Sequence, residues 1–228
     1  MAWETYLFVL KLFWRRIGLL LTANILWILM SLLVVTWPAA TAGLFYLVKR
    51  VVDEELLSDP ESAVINDFWR GFRAEWRRSS SLALGSLAAL VVLVVSLRFY
   101  GESTITLLNW LVGPISLLGL VWAGMQLYLY PLLIHRPERS PAAIAREAFL
   151  LTISYPLNTA LTLLTALVLL AGATILAGPI FTVFFALIAI MQTVGLRTIL
   201  AQRGELRLRL TPEQRAEQDR PRPPRSSA

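Results

Sequence analysis

An uncharged stretch of 49 residues, from 148 to 196, constrains the fold more than any other feature of this chain. As an α-helix it would extend roughly 70 Å, which is enough to cross a hydrocarbon core of ~30 Å twice. The pair Gly178-Pro179 lies within the stretch and predicts a turn between two crossings. Because a water-soluble domain of 228 residues would not bury such a segment, the sequence predicts an all-α, polytopic membrane helix bundle.

The composition narrows the possible chemistry. The chain is 57% hydrophobic and 16% charged, whereas a soluble domain has about 25% charged residues. It contains no cysteine, which excludes disulfides, thiolate catalysis and cysteine-bound metal. We therefore expect one helical bundle without a separate catalytic domain.

Five segments have the roughly 17–25 largely apolar residues that a spanning helix needs. They are residues 17–35, 80–97, 106–133, 155–176 and 179–200. A sixth segment, residues 37–52, reaches Lys49 after fewer apolar residues, so we expect it to be short or broken at Pro38. The transmembrane bundle is thus predicted to occupy residues 17–200, with about six spans.

The basic residues predict the orientation. They cluster before the first segment, between the second and third, after the fourth and after the last, while the other connections carry only Arg98. Loops rich in Lys and Arg face the cytoplasm, and each crossing changes the side. If residues 37–52 cross, every basic cluster lies on one side; if they re-enter, the loop from Lys49 to Arg78 faces outward against its charge. We expect six crossings, with both termini cytoplasmic.

The two ends of the chain have different characters. Residues 1–16 predict an interfacial amphipathic helix, since Trp3, Leu7, Leu10 and Trp14 share one face. The apolar run that follows is longer than a signal-peptide core, so we expect a retained anchor rather than a cleaved signal. Residues 201–228 are rich in Arg and Pro and predict a disordered cytoplasmic tail. Interleaved acids and the lack of an RNA-binding motif argue against nucleic acid as a partner.

A basic amphipathic helix is predicted at about residues 60–79, in the cytoplasmic loop between the second and third segments. Its apolar face would hold Ile65, Phe68, Trp69, Phe72 and Trp76, and its other face Arg70, Arg73 and Arg77. Such a helix lies either on its own bundle and anionic lipid or against a separate protein. We therefore regard these residues as candidates for lipid or partner contact.

The predicted spans hold no ionisable residue well inside them and no known catalytic or phosphate-binding motif. We therefore expect no catalytic, cofactor or metal site and no enzymatic activity. Four amides within the spans form a candidate polar interior: Asn24, Asn109, Gln126 and Asn158. They would serve either as contacts between packed helices or as the lining of a path for a neutral solute.

Three blocks of the sequence form a recognisable set. The first holds Asn24 and Trp27, followed by the run Thr36-Trp37-Pro38-Ala39-Ala40-Thr41-Ala42-Gly43-Leu44-Phe45-Tyr46. The second is Asp67-Phe68-Trp69-Arg70-Gly71-Phe72 with the residues that follow it up to Ser79. The third is Glu147-Ala148-Phe149 with Pro156 and Thr159. Together these blocks resemble the YesL family of bacterial membrane proteins. One departure is that the Gly-Pro pair typical of the family is replaced here by Trp37-Pro38-Ala39.

The resemblance implies a membrane protein of unknown activity. It also implies an association with carbohydrate uptake, because members are often encoded beside ABC-type carbohydrate uptake components. The expected role is therefore an accessory component that contacts an ABC-type permease or ATPase. Two alternatives stay open: a small transport subunit that passes a neutral solute, and a purely structural or assembly protein. In each of these roles the protein is embedded in the lipid bilayer.

Overall fold

The computed structural model describes residues 2–57, 62–103, 106–175 and 181–204, and this part of the chain is helical without a strand. Its helices are α1 (Ala2–Arg15), α2 (Ile17–Ser31), α3 (Trp37–Leu57), α4 (Asn66–Ala74), α5 (Trp76–Gly101), α6 (Thr106–Asn109), α7 (Val112–His135), α8 (Pro141–Ser154), α9 (Pro156–Ile175) and α10 (Phe181–Gln202). The predicted all-α class is confirmed. The predicted turn at Gly178-Pro179 and most of the predicted tail, residues 205–228, lie outside the described residues.

Helix α3 occupies the centre of the bundle, where it contacts α2, α4, α5, α7 and α10. Its side chains are buried around most of the helix, among them Ala40, Leu44, Leu47, Val48 and Val51. The expected break at Pro38 is wrong, because α3 begins at Trp37 and continues through Leu57. Pro38 therefore stands in the first turn, where a missing backbone N–H removes no helical hydrogen bond.

Helices α2 and α3 are joined by residues from the first block of the family resemblance. Trp27 Nε1 donates a hydrogen bond to Thr41 Oγ1 at 3.0 Å, and Thr41 Oγ1 donates to the Trp37 carbonyl at 2.9 Å. The Trp27 ring also packs against Phe185 of α10, with ring centroids 4.0 Å apart. This block thus connects three helices of the core.

Two described helices, Trp76–Gly101 and Leu107–His135, are each long and apolar enough to cross a membrane. Two further pairs meet the same criterion only together: Leu7–Arg15 with Ile17–Ser31, and Pro141–Ser154 with Pro156–Val168. The described residues therefore hold two to four candidate spans by length and composition. The number of six crossings stays a prediction.

Both bent pairs turn sharply, by 87° at Arg16 and by 100° at Tyr155. The second bend follows from Pro156, because the residue before a proline avoids the helical region. Helix α8, which precedes this bend, begins with Pro141. Ser140 caps its start, because Ser140 Oγ accepts a hydrogen bond from Ala143 N at 3.3 Å. Helices α1 and α8 therefore run across the direction of the helices that follow them.

Helix α1 has apolar side chains that face the bundle and others that face away from it. Val9, Leu12 and Phe13 are buried in the bundle, and α1 contacts α10. Three residues of the predicted apolar face point away from the bundle instead: Leu7, Leu10 and Trp14. The side chain of Trp3 lies outside the described part of the structure. Exposed apolar residues beside Lys11 and Arg15 are typical of a helix in the headgroup region.

The outer surface of α5 is almost wholly apolar. Its exposed side chains include Leu84, Leu87, Val91, Val92 and Val95. A continuous surface of this kind would be unfavourable in water and contacts lipid acyl chains in a bilayer. The exposed side chains of α5 are thus those expected of a helix that contacts a membrane.

Candidate functional site at the charged end of the bundle

Ion pairs gather the charged residues of distant segments at one end of the bundle, which we call the charged end. Five pairs define it: Arg15–Glu55, Arg16–Glu54, Arg197–Asp53, Arg78–Glu75 and Arg139–Glu147. These pairs connect the α1–α2 junction to α3, α3 to α10, and the α7–α8 loop to α8. The basic clusters that the sequence places in separate loops are therefore neighbours in space.

The most buried of these charges is Arg197, which is only 3% exposed. It forms an ion pair with Asp53 of α3, and its Nε lies 3.3 Å from His135 Nε2 of α7. His135 Nδ1 lies 2.8 Å from the Pro131 carbonyl. A carbonyl can only accept, so Nδ1 carries the proton and Nε2 accepts from Arg197. This cluster joins α3, α7 and α10, and it satisfies a charge that would otherwise be costly to bury.

Sequence reasoning did not find the contact between Asp53 and Arg197. In the sequence the two residues lie in separate charged segments. Nothing in their spacing indicates that they are in contact. The one available signal is that Arg197 is the first charge after the 49 uncharged residues. Such a position places the side chain near the end of a span but does not identify its partner.

Arg78 connects the start of α5 to the loop between α7 and α8. Its Nη2 donates to the carbonyls of Arg136 and Arg139 at 3.0 and 2.8 Å, and its Nη1 donates to Glu75 Oε2 at 2.6 Å. Burial raises the pKa of the Glu75 carboxyl, and the Arg78 guanidinium opposes that rise only in part. Arg139 in turn contacts Glu147 of α8, so the whole loop is held by charge-assisted contacts.

The predicted amphipathic helix at about 60–79 is divided in the structure. Helix α4 ends at Ala74, Glu75 interrupts the helical backbone, and α5 begins at Trp76. The expected start of this helix, at about residue 60, lies outside the described residues. The interruption lies between Arg73 in the last turn of α4 and Arg77 in the first turn of α5.

The aromatic residues of this segment form a continuous series along α4 and into α5. Phe68 contacts Trp69 and Phe72, with ring centroids 5.6 and 6.5 Å apart, and Phe72 contacts Trp76 at 5.5 Å. Phe68 is fully buried against the bundle, whereas Ile65, Trp69, Phe72 and Trp76 are half-buried. Phe68 is therefore not accessible to a partner, while the edges of the other aromatic residues are.

At the break between α4 and α5 lies a shallow depression of about 370 Å³, which we call the basic notch. It is lined by Phe72, Arg73, Ala74, Trp76 and Arg77. In the described part of the chain neither Arg73 nor Arg77 has an ion-pair partner, whereas Arg70 lies 3.7 Å from Asp67. The notch thus combines two exposed guanidinium groups with two aromatic rings.

The four amides of the candidate polar interior are not brought together. Asn109 is exposed at the end of α6 and donates to the Ser103 carbonyl at 3.2 Å. Gln126 lies between α5 and α7, where its Oε1 accepts from Ser86 Oγ at 3.1 Å. Asn24 is fully buried on α2, and Asn158 is half-buried on α9. These different surroundings are typical of local contacts rather than of one polar path.

The described residues contain no group of three or more His, Asp or Glu side chains that could hold a metal ion. The charged clusters instead consist of matched acids and bases. Their arrangement can bind an anion at the basic notch, where two guanidinium groups are exposed.

Comparison with known proteins agrees with the resemblance noted in the sequence. Residues 20–97 match the family model described as "Protein of unknown function, DUF624". The chain is also 28% identical over 141 residues to a Bacillus subtilis (strain 168) protein described as "Uncharacterized protein YesL". Over these residues the chain is similar to the YesL family.

The match to the Bacillus protein covers 60% of this chain and 64% of the relative, which is less than two thirds of the relative's length. No solved structure matches the chain. The segment matched by the family model includes α3, α4 and the residues of the basic notch. The segment that resembles the family therefore contains the central helix α3 and the basic segment that follows it.

Proposed function

We propose that this protein is an accessory component of the bacterial cytoplasmic membrane that assists an ABC-type carbohydrate uptake system. In this proposal the charged end faces the cytoplasm and the basic notch contacts the permease or its ATPase. The family resemblance supports the choice of system. The geometry of Arg73 and Arg77 supports the choice of surface.

The observation that carries the proposal is the difference between these two arginines and their neighbours. Arg16, Arg78, Arg139 and Arg197 are used inside the protein, since each forms an ion pair with an acid of another turn or helix. Arg73 and Arg77 belong to the set of basic residues at this end that are exposed and without such a pair in the described structure. Arg and aromatic residues are enriched among the side chains that contribute most of the binding energy at protein interfaces.

The proposed orientation has six crossings formed by α2, α3, α5, α7, α9 and α10. It is supported by the basic residues, which the ion pairs hold together at one end and which predict a cytoplasmic face. The remaining connection that carries charge in the described structure is the end of α5, with Arg98 and Glu102. Those two residues would then lie at the external surface.

A role as a transport subunit for neutral solutes has weaker support. A sugar that leaves water must recover its hydrogen bonds from the protein. Asn109 and Gln126 already bond to local groups and occupy different places in the fold. We therefore favour contact with a transport system over transport by this chain alone.

Site-specific crosslinking in native membranes tests the proposed partner. A photoreactive amino acid in place of Arg73 should capture an ABC-type permease or ATPase of a carbohydrate uptake system. The same substitution at Glu138, which is exposed at the charged end but outside the notch, is the matched control and should not. Capture of such a component from both positions, or from neither, would contradict the assignment of the notch.

Charge reversal provides a second measurement on the same complex. The double substitution Arg73→Glu with Arg77→Glu should remove the permease or ATPase from affinity-purified material, because like charges across an interface repel. Arg98→Glu changes the charge of an exposed arginine at the other end of α5 and should leave the complex intact. Retention of the partner by the double variant would refute the proposed contact.

A further inference from the structure

A cavity of about 320 Å³ lies between α5, α7 and α8, and its lining has no residue in common with that of the basic notch. This volume is near the lower end of the range of small-molecule sites, roughly 300–1,000 Å³. Residues from all three helices line it, including Ser81, Gly85, Met125, Gln126, Leu129 and Ala145. The small residues of α5 and α8 leave this space open, because larger side chains at those positions would fill it.

The cavity opens toward the apolar surface of α5. Gly85 and Ala89 line the cavity and are themselves exposed, next to exposed Leu84 and Val92. A Cβ atom added at Gly85 would meet no atom within 4 Å. In a bilayer the opening therefore faces acyl chains rather than water.

The polar groups in the cavity wall bond to one another in a closed ring. Trp122 Nε1 donates to the Ser86 carbonyl at 3.2 Å, and Gln126 Nε2 donates to the Trp122 carbonyl at 3.2 Å. Ser86 Oγ completes the ring by donating to Gln126 Oε1 at 3.1 Å. Because these groups already have partners, the space suits an apolar occupant better than a sugar.

Positive charge lies beside the cavity at the charged end. Arg146 directly follows the lining residue Ala145 and is one helical turn beyond Ala142, while Arg77 is one turn before Ser81 on α5. Both arginines are exposed, and neither has an ion-pair partner among the described residues. Helix α8 also exposes Phe149, Leu150 and Ile153, as expected for a helix at the membrane interface.

We propose that this cavity binds one acyl chain of an anionic glycerophospholipid, from the leaflet at the charged end, with the lipid phosphate against Arg146 and Arg77. The apolar space and its opening to the bilayer select a lipid chain. The two arginines next to its lining residues at the charged end select an anionic headgroup, because a guanidinium forms charge-assisted hydrogen bonds with phosphate. The site shares Arg77 with the basic notch, but it requires neither Arg73 nor the transport partner.

Photolabelling of the purified full-length protein in phosphatidylcholine vesicles tests the proposal. The probe is a trace of phosphatidylglycerol with a photoreactive acyl chain, and labelled peptides are identified by mass spectrometry. We expect labelling in the segments 81–89 and 122–129. An added Cβ meets no atom within 4 Å at Gly85 or at Gly119. Gly85→Leu places a larger side chain in the cavity lining and should abolish that labelling, whereas Gly119→Leu, outside the lining, should not.

The headgroup is tested by comparing phosphatidylglycerol with phosphatidylcholine probes of the same photoreactive chain. The wild type should prefer the anionic probe, and Arg146→Gln should lower that preference by about fivefold, the effect of one basic residue near the surface. Arg146→Lys should retain most of it. Equal labelling of wild type and Gly85→Leu, equal labelling by both probes, or displacement of the probe only by an apolar helical peptide would overturn the proposal.

Discussion

Gly71 of α4 lies directly on Gly43 of α3. A Cβ atom added at Gly71 would come within 3.2 Å of the Gly43 Cα, and one added at Gly43 would lie 2.7 Å from the Phe68 carbonyl oxygen. The two helices therefore touch backbone to backbone, which only a residue without a side chain allows. This contact buries Phe68 and fixes α4 across the central helix, so it determines where the basic notch lies.

The first prediction concerns this glycine contact. Gly71→Ala or Gly43→Ala should lower the free energy of unfolding by about 1–3 kcal/mol, because the added methyl group forces the helices apart. The gain in helix propensity offsets at most about 1 kcal/mol of that loss. Thermal unfolding in detergent measures it. Gly18→Ala, at a helical glycine with nothing within 4 Å of the added Cβ, is the control and should not destabilise the protein.

The second prediction concerns the ion pair between Asp53 and Arg197. Asp53→Leu should destabilise the protein by about 3–5 kcal/mol, since it leaves the guanidinium buried without its carboxylate. Arg197→Met in the same chain should recover much of this loss, because the buried charge is then removed as well. A double-mutant cycle on unfolding midpoints measures the coupling, and additive effects of the two substitutions would refute it.

The exposed pair Arg15–Glu55 provides the matched control for that cycle. Its side chains are 57% and 33% exposed, compared with 3% and 11% for Arg197 and Asp53. Water screens such a pair, so its coupling should be no more than about 1 kcal/mol. A coupling as large as that of the buried pair would mean that burial does not determine the strength of these contacts.

The sequence predicted best those features that depend on local pattern. The expected span 155–176 corresponds to α9, Pro156–Ile175, because proline at one end and lack of charge define it. The expected span 17–35 was too long, since α2 ends at Ser31 and Thr36 Oγ1 then bonds to the carbonyls of Met30 and Leu33. Local periodicity also placed Phe68, Phe72 and Trp76 on one face.

What could not be predicted depends on contacts between distant segments. Lys49 was taken as the end of an apolar segment, yet α3 continues past it to Leu57. The reason is that Asp53 meets Arg197 and Glu54 meets Arg16, so the helix can keep its charged turns within the bundle. Which aromatic residue of α4 is fully buried depends in the same way on Gly43, a residue of another helix.

The third prediction concerns Glu75 and pH. Burial raises the pKa of this carboxyl in the folded protein, so folding favours its protonated form. The stabilisation from the protonated Glu75 carboxyl is fully present at a pH below the pKa of Glu75 in the unfolded chain. It is lost as the pH rises through the pKa of Glu75 in the folded protein. Glu75→Gln should therefore stabilise the protein relative to wild type at neutral pH, and this difference should shrink as the pH falls. Unfolding midpoints across that pH range measure it, and a difference that grows on acidification would contradict the sign of the shift.

The last prediction concerns how deep each connection between helices lies in the membrane. Because the chain has no cysteine, labelling of a single introduced cysteine reports the position of that cysteine alone. Helix α5 has 26 residues and is about 39 Å long, enough to carry Gly101 through a hydrocarbon core of ~30 Å. Gly101→Cys should therefore react with an impermeant maleimide applied from outside the cell. Glu138→Cys, at the charged end, should react only after the cytoplasmic side is opened. Reaction of Glu138→Cys from outside would reverse the proposed orientation.

The turn between α2 and α3 should behave differently from the end of α5. Helix α2 has only 15 residues, or about 22 Å, and the turn exposes Leu32 and Val34 by 74% and 80%. Its backbone is satisfied locally, since Thr36 N donates to the Leu33 carbonyl at 2.8 Å and Thr36 Oγ1 bonds to the same group. Apolar side chains on a turn with internally paired backbone groups favour a position at the outer edge of the hydrocarbon, so α2 and α3 still cross while the turn stays out of the external water. Val34→Cys should thus react with an impermeant maleimide much more slowly than Gly101→Cys, whereas labelling at the same rate would place the turn in the external water.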